Sequence, residues 1–173
     1  MKIALIVVAV LAILVLAVVA IGWTLPVAHR ATSEASFSAP PEAVYALLVN
    51  VDAYPAWRAD VKKIDLVAAP GAHRSFRETG SNGPILFQIE EEVPYQRFVT
   101  RIADKSLPFG GTWTYEISPA PGGSTLRITE DGEVYNPVFR FVSRFIMGRH
   151  GTMNAYLKSA GRKFGSTVVI RES

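Results

Sequence analysis

Cysteine is missing from all 173 residues, and histidine occurs only three times. The first absence excludes disulfides, thiolate metal ligands and a cysteine nucleophile. His29, His73 and His150 fall at no metal-ligand spacing, so no metal is expected. A Gly-x-Ser-x-Gly elbow is also missing, and Phe109-Gly110-Gly111 reads as a hairpin approach rather than a phosphate cradle. No cofactor or nucleotide is implied. The basic residues are not interleaved with aromatics in a recognisable module, which argues against nucleic acid as a partner.

Charge is also missing from Ile3 through Leu25. As a helix, residues 3–25 would be about 35 Å long, enough to cross a hydrocarbon core of about 30 Å. Residues 1–26 are therefore expected to form a single-pass membrane anchor, with Trp23 at the interface and Pro26 ending the helix. The apolar run exceeds the roughly 7–15 residues of a cleaved signal. The small-x-small triplet Ala31-Thr32-Ser33 keeps cleavage as the alternative. Lys2 and the terminal amine on one side nearly balance Arg30 and His29 on the other, and the lean is to the N-terminus inside with the domain outside the cytoplasm.

The remaining length suits one domain. Residues 27–31 read as a linker, 32–165 as the domain and 166–173 as a tail. A first strand over 32–38 leads through Ala39-Pro40-Pro41 into a helix to about Leu48, with Pro41 in its first turn. Val51 to Trp57 is interrupted by Pro55 and predicts a second short helix, with Trp57 turned inward. Six strands follow at 61–67, 73–79, 85–93, 97–103, 111–118 and 124–134. Turn clusters separate them at Ala69-Pro70-Gly71, Gly80-Ser81-Asn82-Gly83 and Pro119-Ala120-Pro121-Gly122-Gly123.

Asn136-Pro137 supplies an N-cap and a first-turn proline for a long helix to about Phe164. Val138, Val142, Phe145, Ile146, Met153, Tyr156, Leu157, Ala160 and Phe164 recur at helical spacing and predict one continuous apolar stripe lying on the sheet. Gly148 and Gly151 weaken its middle and mark a bend or a point of opening. Charge is unevenly placed: eight acids and four bases lie between Ile85 and Val134, against one acid and seven bases from Pro137 to Ser173. The basic helix face reads either as a solvated surface or as attraction to anionic lipid headgroups.

This order of elements, carried by SAPPEAVYALLVNVDAYPAWRADVKKIDLV and GGTWTYEISPAPGGSTLRITEDGEVYNPVFRFVSRFIMG, resembles the START-like, or SRPBCC, superfamily and its polyketide cyclase/dehydrase and lipid-transport group. The resemblance covers residues 32–165, and Trp57 matches a tryptophan at the end of the family's helix pair. It implies an α+β helix-grip fold, in which a curved antiparallel sheet wraps a long C-terminal helix. It implies no particular activity, because members bind lipids, sterols or hormones, cyclise polyketides or assist other proteins.

The side chains expected to line the space between sheet and helix are Trp57, Phe76, Phe87, Phe98, Trp113, Tyr115, Met153 and Tyr156. They either enclose a pocket or fill a core. Strict alternation also aims Glu130 and Glu91 inward, and Arg149 sits in the helix stripe. An ion pair of Arg149 with either carboxylate is the structural reading. The functional reading has Arg149 holding an anionic ligand head and Glu130 acting as general acid or base.

The primary expectation is a membrane-tethered binding protein for a lipid-like or aromatic hydrophobic small molecule. One alternative is a cyclase- or dehydratase-type enzyme using Glu130, with Arg149 and Tyr115 as orienting groups. The other is a protein-interaction module with a vestigial cavity.

Overall fold

Alternating apolar and polar residues between short turns dictate antiparallel strands, because period two puts every second side chain on one face. The computed structural model describes residues 2–68, 74–81 and 83–173. The expected turn at Ala69-Pro70-Gly71, the strand start at His73, and Asn82 lie outside the described residues. Strands β1 (Ala28–Phe37), β2 (Val61–Val67), β3 (Ser75–Gly80), β4 (Gly83–Val93), β5 (Arg97–Ile102), β6 (Phe109–Ala120), β7 (Gly123–Val134) and β8 (Ile170–Glu172) form one sheet. Its order is β2-β3-β4-β5-β6-β7-β1-β8, antiparallel throughout.

Helix α1 (Lys2–Thr24) is long and apolar enough to cross a membrane, with a mean hydropathy of 3.5 and none of it buried over that window. Only Leu25, Pro26 and Val27 separate it from β1. Residues 28–31, expected in a linker, instead pair with Glu133 through Glu130 of β7. The strand extends this far because the tail of β7 offers backbone partners that an isolated segment would lack. Residues 170–172, expected in a loose tail, pair as β8 with Ser33, Glu34 and Ala35, and so cover an otherwise open edge.

Helix α2 (Pro41–Val49) opens with Pro41, as its fixed φ favours. A 3₁₀ turn (Val51–Ala56) carries Pro55 and delivers Trp57 to the core. The predicted long C-terminal helix is divided. Asn136 caps α3 (Pro137–Val142), its side chain accepting from the N–H groups of Val138 and Phe139 at 2.9 and 3.2 Å. A π turn (Ser143–Met147) follows, and Gly148 at φ 74° and ψ 169° ends it. Helix α4 (Gly151–Lys163) then lies on the sheet, burying Met153, Tyr156, Leu157 and Ala160 at helical spacing. Only this second half of the predicted stripe is core. Val138, Phe145 and Ile146 are exposed, because the turn at Gly148 swings them off the sheet.

Candidate ligand site between the sheet and the last helix

Tyr156, projecting from the first half of α4, is the centre of an aromatic cluster. Its ring centre lies 5.2 Å from that of Trp57, 5.4 Å from Tyr115 and 6.2 Å from both Tyr54 and Trp113. Phe98 meets Tyr115 at 5.6 Å, and Phe76 stacks on Phe87 at 5.4 Å. Mostly edge-on or tilted contacts of this kind are favoured by the ring quadrupoles. Every aromatic expected at the site, with Met153, thus belongs to one core or packs directly against it. Beneath α4 the rings fill the space themselves.

Arg58 was not anticipated and is the most unusual member. Its guanidinium stands 5.1 Å from the Tyr54 ring centre and 5.0 Å from that of Tyr156. It donates to Glu78 at 2.7 and 3.1 Å and to Asp60 at 2.5 Å. Burial would lower the affinity of Arg58 for its proton, but Glu78 and Asp60 outweigh it and the group stays charged. Burial pushes the Glu78 carboxyl up, and Arg58 reverses part of that. Burial likewise raises the phenols of Tyr54, to about 12, and of Tyr115 and Tyr156. Two buried donors, Trp57 Nε1 and Arg58 Nε, have no acceptor among the described residues. Alternation from Phe76 places Glu78 on the inner face, which was the one signal in the sequence for this pair.

Glu130 does sit on the inner face, opposite Ala31 on β1 and Trp113 on β6. Its partner is His29 at 3.3 Å, not Arg149. Glu91 corrects the alternation argument: a bulge between Ile89 and Glu91 rotates it outward, and it takes Arg97 at 2.9 Å. Arg149 forms no ion pair with either acid among the described residues. It lines a small cleft at the root of α1 with His29, Arg140, Ser143 and Arg144, about 20 Å³ in volume, room for roughly one water. The expected convergence of Glu130, Glu91 and Arg149 is therefore absent among the described residues. No group of three His, Cys, Asp or Glu able to hold a metal occurs among them either.

The sheet reaches further than the helix that grips it. His150, just ahead of α4, bonds Ser33 Oγ through Nδ1 at 3.2 Å, so β1 before Ser33 extends past the helix start. The pairing continues this end of the inner face across the sheet, from the buried Ala31 and Glu130 to Trp113, and from Phe87 to Ile102. Trp113 and Phe87 are there only partly buried, and both face inward. It is also the end of the sheet at which α1 joins.

The family model for polyketide cyclase / dehydrase and lipid transport matches residues 28–164. No curated protein matches the chain. Solved structures of the same fold include TTHA0849 from Thermus thermophilus, with 20% identity, a TM-score of 0.63, and 79% of this chain and 97% of that one covered. A protein from Thermobifida fusca has 21% identity and a TM-score of 0.59 over 81% of this chain and 94% of its own. The Zhui aromatase/cyclase from Streptomyces sp. R1128 has 12% identity and a TM-score of 0.58 over 79% and 95%.

Proposed function

The chain belongs to the polyketide cyclase / dehydrase and lipid transport family, and we propose that it is a membrane-tethered binding protein for a hydrophobic small molecule, lipid-like or aromatic. The tether is α1, and the ligand lies on the inner face of the sheet beyond the start of α4. The observation that carries this reading is the partly buried pair Trp113 and Phe87, facing inward at the end of the sheet where α1 enters. Aromatic surface left partly exposed on the inner face of the sheet suits an apolar guest. Its position beside the anchor suits exchange with the bilayer.

The test uses the full chain, extracted gently from its host membrane and analysed by native mass spectrometry with solvent extraction of bound molecules. A stoichiometric apolar adduct that is lost in Trp113→Ala and Phe87→Ala is the expected result. An adduct unchanged by both substitutions would place the ligand elsewhere, and chains carrying only bulk lipid would overturn the reading.

A second reading has its own observation: Glu130 and His29 form a carboxylate–imidazole pair next to Trp113 on the same inner face. Such a pair is suited to proton transfer at a bound aromatic or carbonyl compound, as a cyclase-type activity requires. Glu130→Gln would then abolish turnover while leaving ligand occupancy in place. Turnover that survives this change excludes the mechanism.

A further inference from the structure

Residues 137–150 serve neither the ligand site nor the core. They carry Arg140, Arg144 and Arg149 and no acid. Their large apolar side chains are turned out: Phe139 is 50% exposed, Phe145 58%, Met147 67% and Ile146 71%. Apolar area concentrated in this way marks an interaction site rather than an ordinary soluble surface.

The stretch is firmly held. Asn136 caps it, Phe141 backs the exposed Phe145 at 4.9 Å, and the Gly148 N–H closes the π turn on the Ser143 carbonyl at 3.1 Å. It is also fastened to the base of α1. Gly22 is buried against α3, where a methyl group would collide with the Pro137 carbonyl, and Arg140 Nη1 donates to the Leu25 carbonyl at 2.7 Å. The patch therefore has a fixed place beside the point where α1 leaves the domain.

We propose that residues 139–149 form a membrane-docking foot: Phe139, Phe145, Ile146 and Met147 enter the leaflet next to α1, and Arg144 and Arg149 meet anionic phospholipid headgroups. This rests on the reading of α1 as a tether. A basic segment with Phe, Ile and Met exposed is the composition that partitions into an interface. Each arginine contributes roughly a fivefold preference for an anionic surface. A segment this short would bind weakly alone, but its attachment to α1 holds it at high effective concentration against the bilayer. Docking would fix the tilt of the domain and keep the Trp113 and Phe87 end of the sheet near the leaflet.

The absence of native cysteine makes the full chain suited to single-site spin labelling. Ile146→Cys reports the foot, Leu11→Cys the middle of the anchor, and Ser118→Cys the opposite end of the sheet. Collisions with oxygen and with a water-soluble nickel chelate are compared in phosphatidylcholine vesicles with and without phosphatidylglycerol. The expected result is an oxygen preference at Leu11 and Ile146 and a nickel preference at Ser118, with Ile146 deeper when phosphatidylglycerol is present. R144Q combined with R149Q should lower the inserted-to-free ratio in the anionic vesicles about 25-fold.

An oxygen preference at Leu11 with a nickel preference at Ile146 would overturn the foot and leave the tether standing. Nickel preference at both sites would overturn both. A label at Ile146 shielded from both reagents and broadened by labels on neighbouring chains would assign the patch to self-association, again overturning it. Insertion indifferent to R144Q and R149Q would overturn the headgroup contacts.

Discussion

Tyr156 meets Trp57 at 5.2 Å, ring edge to ring face, while its own face lies 5.0 Å from the Arg58 guanidinium. One side chain thus joins the helix, the 3₁₀ turn and the inner ion pair. Tyr156→Ala removes a fully buried ring and is expected to cost about 3–5 kcal/mol, the range for large aromatic-to-alanine changes in a core. Tyr156→Phe keeps the ring and loses only a hydroxyl whose contact with the Tyr54 hydroxyl is long, at 3.5 Å, so its cost should stay below about 1 kcal/mol. Unfolding of the full chain in mild detergent, followed by near-ultraviolet circular dichroism, distinguishes the two.

Arg58 and Glu78 are expected to be strongly coupled. Removing one member leaves the other charge largely buried, which costs about 3–5 kcal/mol, whereas replacing both with apolar residues is far milder. Arg58→Met and Glu78→Leu alone should therefore each destabilise more than the double substitution does. A double-mutant cycle by chemical denaturation reads this directly. Additive losses would mean that Asp60, the other partner of Arg58, carries the charge alone.

The buried phenols set an alkaline limit on stability. Burial raises Tyr54 to about 12 and moves Tyr115 and Tyr156 upward as well. In the unfolded chain these groups ionise near pH 10. A pKa raised by folding means that the folded state holds its proton longer, so the contribution is complete below about pH 10 and is lost as pH rises towards and past 12. Absorbance at the phenolate band should show these three tyrosines titrating together with loss of the fold. Early titration without unfolding would show that the cluster opens to solvent.

The strands were readable because alternation and turn chemistry act locally: all six strands between Val61 and Val134 lie where the pattern places them, within a few residues at their ends. Trp57, Tyr115 and Tyr156 were readable for the same reason, each being apolar on a face already assigned. What alternation cannot see is a change of register. One inserted residue between Ile89 and Glu91 turned a predicted interior acid into a surface ion pair. The His29–Glu130 and Arg58–Glu78 pairs span long sequence separations, so only pairing of distant segments brings them together. The break in the C-terminal helix was readable in Gly148 and Gly151, where a bend was expected and where the π turn ends and α4 begins; what escaped is that the apolar residues before Gly148, though at helical spacing, face away from the sheet.

Gly148 and Gly151 separate backbone demand from packing demand. Neither has any atom within 4 Å of where a Cβ would stand, so a methyl group fits at both. Gly148, however, has φ 74° and ψ 169°, a conformation that costs other residues about 1–3 kcal/mol. Gly151 is the first residue of α4, where alanine reduces the freedom of the unfolded chain and stabilises by about 0.4–1 kcal/mol. Gly148→Ala should therefore lower the unfolding midpoint and Gly151→Ala should leave it unchanged or raise it. If Gly148→Ala were neutral, α3, the π turn and α4 would be able to join into a single helix. The exposed residues from Phe139 to Met147 would then move relative to α1, which a spin label at Ile146 would register as a change of depth.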